Sequence, residues 1–391
     1  MKKIFCSTLL LTLVAVGCGG GHIGAVAINK ALGTKFEAGI AHVAGNYGFT
    51  NNNFLVEGAE KISQLGSHAI FIYLTPWFRT QYPDQSSNSW PAQDPADLVS
   101  LAQTKPYDSV FNLPFRTIVL TTYTFANWDY LPGMAQSPQR QQAEHNEFYE
   151  LTKYLYSKFS GSGKTFILKN WEGDWVGLGG EGSATTGNIP DNTVEDMIAW
   201  LKARQAGVTQ ARNEAHDSSM LVLNGAEVNR VLDYTQQGLK RVINAVVPYV
   251  NADMVTYSSY ESTAIGNDAA SMEQWFNQAL ETIAKLAPDP LGLGSRRILI
   301  SEYGLFENQL IGATGWRASA ILSTAQQAGV YGAFLWNVYD NECVQPDGQQ
   351  AAIDTSVGNS ARPQDSNCRG LWLVRPDGSS STVLSILQQY W

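Results

Sequence analysis

This chain is short of charge, of histidine and of cysteine, and each shortage removes a class of function. Only 16% of its 391 residues are charged, against roughly 25% in ordinary soluble domains. The net charge is −9 and no basic run occurs, so the electrostatic footprint of nucleic-acid binding is missing. The five histidines show no His-x-His or His-x-x-x-His spacing, and neither a metal nor a cofactor is expected. The apolar run 7–16 falls well short of the about 20 residues that cross a bilayer. No Gly-x-Gly-x-x-Gly follows the first expected strand, which argues against an open doubly wound sheet. No internal repeat or low-complexity linker divides the chain, so one domain is expected.

The N-terminus reads as a targeting segment. Lys2-Lys3 supply the positive region and 7–16 the apolar core. Ala15-Val16-Gly17-Cys18 resembles a bacterial lipoprotein processing site, at which Cys18 would carry lipid; ordinary secretion is the alternative. Residues 1–18 are therefore expected to be a signal, 19–33 a flexible tether and 34–391 the folded domain, placed in the bacterial cell envelope and touching membrane only through the lipid. Cys6 leaves with the signal, so Cys343 and Cys368 remain as an even pair in an oxidising compartment. A disulfide between them would contribute roughly 3 kcal/mol on the chain-entropy account.

What is present is alternation. Strands are expected over 35–43, 68–74, 117–123, from 165, from 220, and over 253–260, 297–303 and 332–338. Between them helical spacing covers 54–65, a stretch after Asp97, 143–159, 192–206, 234–249, 271 to before Pro288, and 316–328. Asn192 with Glu195 and Ser271 with Gln274 read as capping boxes. The glycine-rich 177–187 reads as a loop. Eight strand–helix units force parallel strands and close into a (β/α)₈ TIM barrel, with a C-terminal extension of a short strand or hairpin and a last helix.

Two strands end on carboxylates. Thr165–Trp175 reads TFILKNWEGDW and places Glu172 between two indoles, and Arg297–Gly304 reads RILISEYG with Glu302 after an apolar run. Strict alternation groups Phe166, Leu168, Asn170 and Glu172 on one face, and Ile298, Ile300 and Glu302 on one face. It turns Lys169 away, against a Schiff-base lysine. Active sites of parallel barrels lie at the C-terminal strand ends, so Glu172 and Glu302 are expected to converge there. Two carboxylates about 5 Å apart suit retaining glycoside hydrolysis, and the 11 Trp and 17 Tyr offer flat faces to sugar rings.

At these residues the chain resembles the (β/α)₈ retaining glycoside hydrolases of clan A. The resemblance implies Glu172, ending the fourth strand, as acid/base and Glu302, ending the seventh, as nucleophile. It implies Tyr260 as the tyrosine that hydrogen-bonds the nucleophile, with Tyr257 its competitor, and Trp336 in AFLWN as the platform under the reacting sugar. Asn170, two positions before Glu172 where the clan has Asn immediately before it, would hold the sugar 2-hydroxyl. Ser258 replaces the clan's histidine on the sixth strand. Asp174 and Glu227 are rivals to Glu172. Asn229, His42 and Trp77 sit near strand ends as candidate subsite residues. The expected protein is a monomeric, secreted or lipid-anchored glycosidase acting on a β-linked oligo- or polysaccharide. The alternatives are a non-catalytic glycan-binding lipoprotein on the same barrel and a transglycosylase.

Overall fold

The computed structural model describes residues 25–84, 88–127, 131–180, 186–343 and 362–391. The N-terminal segment expected to be a signal, with Cys18, and most of the stretch between the paired cysteines, lie outside the described residues.

Eight parallel strands close into a barrel in chain order: β1 (Glu37–Ala41), β2 (Ala69–Leu74), β3 (Thr117–Thr122), β4 (Thr165–Lys169), β5 (Leu221–Val228), β6 (Met254–Ser258), β7 (Ile298–Gly304) and β8 (Gly332–Trp336). Their side chains divide into two layers, because a strand in this architecture is buried on both faces. Phe71, Val119, Ile167, Leu223, Leu299 and Phe334 fill the barrel. Ile70, Ile118, Phe166, Leu168, Val222, Ile298 and Ile300 pack outward against the helices. Gly39 leaves the space that the Phe334 ring occupies: a Cβ there would lie 2.2 Å from it.

The strand expectations hold to within a few residues, and several helices differ in instructive ways. The helix Phe54–Leu65 ends on Gly66 at φ 104°, as its sequence predicts. The helix predicted from Asn192 instead starts at Asp191 behind Pro190, has no side-chain cap and runs to Ala215. Asp268, not Ser271, caps the helix Ala269–Leu286, with Ser271 as the reciprocal partner. The helix predicted over 234–249 is three short ones, Val231–Gln237, Val242–Ala245 and Val247–Val250, since Gly238 at φ 68° ends the first. Part of the glycine-rich loop is helical, Gly173–Leu178.

The folded domain begins earlier than predicted. Residues Ala25–Leu32 form a helix within the span expected to be tether, and Ile28 and Leu32 are buried in the barrel's inner apolar cluster with Leu293 and Tyr331. The spacing of four between these two apolar residues explains it. At the other terminus the chain runs from the mouth of the barrel to its floor. A Val374–Ser380 bridge and the helix Val383–Leu387 lead to Trp391, whose indole N–H donates to the Ala38 carbonyl at 2.8 Å. Cys343 and Cys368 are bonded.

Candidate active site

A pocket of about 520 Å³ opens at the C-terminal ends of the strands, and Glu172 and Glu302 both border it. A larger hollow of about 700 Å³ lies outside the barrel between the long helices Pro138–Phe159 and Asp191–Ala215, but no pair of buried carboxylates faces it. Chemistry therefore selects the barrel mouth.

The two glutamates arrive differently from the predicted alternation. In β7 the ladder slips by one residue against both neighbours, between Ile300 and Glu302, a β-bulge. Leu299 faces the interior, and beyond the slip both Ser301 and Glu302 reach interior partners. Ile298 and Ile300 face outward, so Glu302 does not share their face. In β4 the inward residues are Ile167 and Lys169, not Asn170. Glu172 enters the pocket because the chain has left the strand: it stands just before the helix Gly173–Leu178. Its amide donates to Glu227 Oε2 at 2.8 Å, and Ser258 donates its hydroxyl to Glu172 Oε1 at 2.6 Å. Gly173 is required next to it, since a Cβ would lie 2.4 Å from the Glu227 carbonyl oxygen.

Ser258 links the pair, because it is also the strand partner of Glu302. Burial pushes the Glu302 carboxyl well above the usual range; the Lys169 ammonium opposes this, and Glu227 and Glu172 reinforce it. The phenols of Tyr73 and Tyr260 are likewise driven up, first by burial and then by Glu302, with Glu172 also contributing. All four groups thus face one another. Two of the carboxyl groups, Glu227 and Glu302, share the one Lys169 ammonium.

Of the other predicted residues, Tyr260, Trp336 and Asn229 border the pocket. Trp336 is inward on β8 and donates its indole N–H to Asn341 Oδ1 at 3.0 Å. Tyr260 does not hydrogen-bond Glu302: among the described residues the donor on that carboxylate is Lys169. Asn229 accepts the Asp174 amide on Oδ1 at 2.9 Å.

Four candidates are displaced. Asn170 points outward, accepts the Glu227 amide at 3.0 Å and donates to the Trp171 carbonyl at 3.1 Å, so its amide is spent on the backbone. Tyr257 is fully buried behind the barrel, donating to Ser262 at 2.8 Å and Glu261 at 3.0 Å. His42 faces outward onto the Phe54 carbonyl at 2.7 Å, and burial lowers its imidazole to about 4, a neutral packing group. Trp77 is 38% exposed and packs edge-on to Tyr123, outside the described pocket wall.

The rivals to Glu172 are structural. The Asp174 carboxylate accepts the amides of Val242, Asn229 and Arg230 at 2.7–3.0 Å. Glu227 is fully buried and takes both short bonds of Lys169, the Glu172 amide and the Ser301 hydroxyl. Lys169 itself was missed as a site residue, because alternation does not say which face of a doubly buried strand is the inside. A lysine closing the apolar run TFIL was the available signal. Among the described residues one cluster has metal-ligand spacing, Asp340 with Cys343 and Cys368, and its sulfurs are committed to the disulfide.

No protein-family model matches the chain, and no curated protein matches it in sequence. Solved structures do match. A GH5_18 protein from Streptomyces cattleya, in complex with Manβ1-4GlcNAc, aligns over 91% of this chain and 80% of its own at TM-score 0.55 and 13% identity. The exo-β-1,4-mannosidase Op5Man5 from Opitutaceae bacterium strain TAV5 aligns over 91% of this chain at TM-score 0.56 and 12% identity, and this chain spans 58% of its length. A GH5-4 broad specificity endoglucanase from Clostridium longisporum aligns over 93% of this chain and 99% of its own at TM-score 0.50 and 12% identity. The (β/α)₈ barrel is thus shared with these proteins across nearly the whole described chain.

Proposed function

We propose that this chain is a retaining glycoside hydrolase acting on a β-linked glycan, with Glu302 as nucleophile and Glu172 as acid/base. The observation that carries the reading is the pair itself: two carboxylates on one pocket from the ends of β4 and β7, joined through Ser258. Ser258 lies one strand spacing, about 4.8 Å, from Glu302. With its hydroxyl on Glu172, that supports the short separation of retaining enzymes, about 5–5.5 Å, over the 6.5–9.5 Å of inverting ones.

In the proposed reaction Glu302 attacks the anomeric carbon as the bond from that carbon to the leaving oxygen breaks, and Glu172, as the acid, gives its proton to that oxygen. Water then attacks the same carbon, gives its proton to Glu172 and frees Glu302. Trp336 offers an apolar face beneath the ring. Asn229 takes the place predicted for Asn170, with an amide N–H₂ for a sugar hydroxyl. The neighbours' ligands and names make β-1,4-linked mannosides, and then glucans, the first substrates to try. Location in the envelope rests on residues 1–18, and fatty-acid labelling lost in Cys18→Ala is its test.

The deciding experiment is trapping with 2-deoxy-2-fluoro-β-mannosides and β-glucosides carrying activated leaving groups, followed by peptide mapping. A stoichiometric adduct on Glu302 is expected. A label elsewhere, or a product of inverted configuration, overturns the assignment; glycan binding without turnover or labelling leaves a binding protein.

A further inference from the structure

Beneath the pocket lies a charge that the mechanism above does not use. Lys169 closes β4 with its side chain inside the barrel and fully buried. Its amine has three hydrogens, and three carboxylate oxygens surround it: Glu227 Oε1 and Oε2, each at 2.7 Å, and Glu302 Oε1 at 3.4 Å. The face of Phe71 lies 4.4 Å away. Glu227 is in turn fixed by the Glu172 amide and the Ser301 hydroxyl.

A fully buried ion pair is a weak source of stability, because desolvation offsets most of its attraction. Apolar side chains fill the barrel directly around it, as Phe71, Ile167 and Leu299 do. What the pair does have is a position: it touches the one carboxylate that must work as an anion. Resting on the reading of Glu302 as nucleophile, we infer that Lys169 is the positioning residue of the site: Glu227 anchors its amine, and the amine orients Glu302 and favours its ionised form.

The groups facing Glu302 make the assignment specific. Glu172 approaches from the end of β4, Glu227 from β5, Tyr73 from β2 and Tyr260 from the helix Tyr260–Thr263, and none of them is a cation. Ser258 opposes Glu302 on β6, with its hydroxyl turned to Glu172. Lys169 is the influence that lowers the Glu302 carboxyl most, while Glu227 raises it. The two members of the buried pair therefore pull on Glu302 in opposite directions.

Packing alone would not reproduce that opposition. In Lys169→Met the acidic limb of the kcat/KM profile should move up by about one pH unit or more, and in Glu227→Gln it should move down. Lys169→Arg should restore part of the Lys169→Met loss. Since Lys169→Met leaves Glu227 buried without its cation, Lys169→Met/Glu227→Gln is made beside it; it should keep the wild-type Tm and still raise the limb, by less. Carbon-13 titration of the Glu302 carboxyl, assigned with Glu302→Gln, reads the same ordering without substrate. Limbs and titrations that move together, or do not move, overturn the inference. A wild type that turns over no glycoside overturns the glycosidase reading instead, and the carboxyl titration then decides the role of Lys169.

Discussion

The ends of β4 and β7 each deliver one glutamate to the same pocket, and they do so by opposite means. β7 stays in the sheet: its ladder slips by one residue against β6 and β8, and Ser301 and Glu302 both turn inward. β4 stops at Lys169, and Glu172 is held after the strand by its neighbours, its amide on Glu227 and its carboxylate under the Ser258 hydroxyl. Glu302 is therefore placed by backbone pairing, which few side-chain changes disturb. Glu172 is placed by side chains of β5 and β6, which single substitutions reach. On the proposed roles, a nucleophile needs a fixed attack line, which a bulged strand would supply, and an acid/base must follow a proton between two oxygens, for which a site just outside the strand would leave freedom.

The contrast is tested most severely at the two carboxylates. Glu302→Gln should lower kcat by roughly four orders of magnitude or more, because no covalent intermediate forms. Glu172→Gln should cost about 10²- to 10⁴-fold, and less on aryl glycosides whose leaving group needs no proton. Equal losses on all leaving groups would erase the distinction between the two ends. Gly173→Ala comes next. Its Cβ would meet the Glu227 carbonyl at 2.4 Å, which should cost about 1–3 kcal/mol of stability and lower kcat by displacing Glu172. Denaturant unfolding and kinetics on the same variant check both, and an unchanged kcat would mean that Glu172 is not held through this contact.

The barrel was legible because its signals are local. Eight apolar runs, Gly66 as a helix stop and the helix start after Asp97 all act within a turn or two of the residue that carries them. The carboxylate pair was legible because both glutamates follow apolar runs. The inward face was not. Phe166 and Ile167 are equally apolar and equally buried, one against helices and one inside the barrel, so periodicity could not choose between them. From that one ambiguity followed both the placement of Asn170 in the pocket and the dismissal of Lys169. The bulge in β7 was invisible for a related reason: it is a property of how three strands pair, and nothing in ISEYG announces it. Tyr257 and His42 failed as candidates because they sit on outward positions of strand ends whose direction was unread.

Asn170 and Asn229 sharpen the contrast at a lower level of effect. Asn170 ties the end of β4 to the Glu227 amide, wholly within the protein. Asn170→Ala should therefore cost about 1–3 kcal/mol, the penalty of a buried amide left unpaired, with KM little changed. Asn229 borders the pocket, and Asn229→Ala should raise KM or lower kcat by about tenfold, the worth of one hydrogen bond made in the transition state. Paired Tm and Michaelis–Menten measurements separate the two, and a large KM effect in Asn170→Ala would return it to the substrate.

The smallest expected effect concerns Glu261, a third acid on the pocket wall that serves as a control for Glu302. Burial pushes its carboxyl up to about 8, against the amide of Leu232 and the Arg230 charge, which lower it. Unlike Glu302 it has no lysine against it among the described residues; the Leu232 amide and the Tyr257 hydroxyl are its donors. The unfolded chain releases this proton near 4.3, the folded chain near 8. Below the lower value both states hold the proton and its contribution to stability is fully present. Between the two values only the folded state holds it, so stability declines as pH rises, and the decline ends above about 8. Allowing for its partial exposure to the pocket, the loss should be of the order of 2 kcal/mol. Glu261→Gln should lack this slope and overtake the wild type at alkaline pH in urea unfolding, while kcat at neutral pH stays within a few-fold. If kcat fell with Glu261→Gln as it does with Glu172→Gln, a buried, proton-holding carboxyl on this wall would be enough for catalysis, and the argument that strand ends β4 and β7 are special would fail.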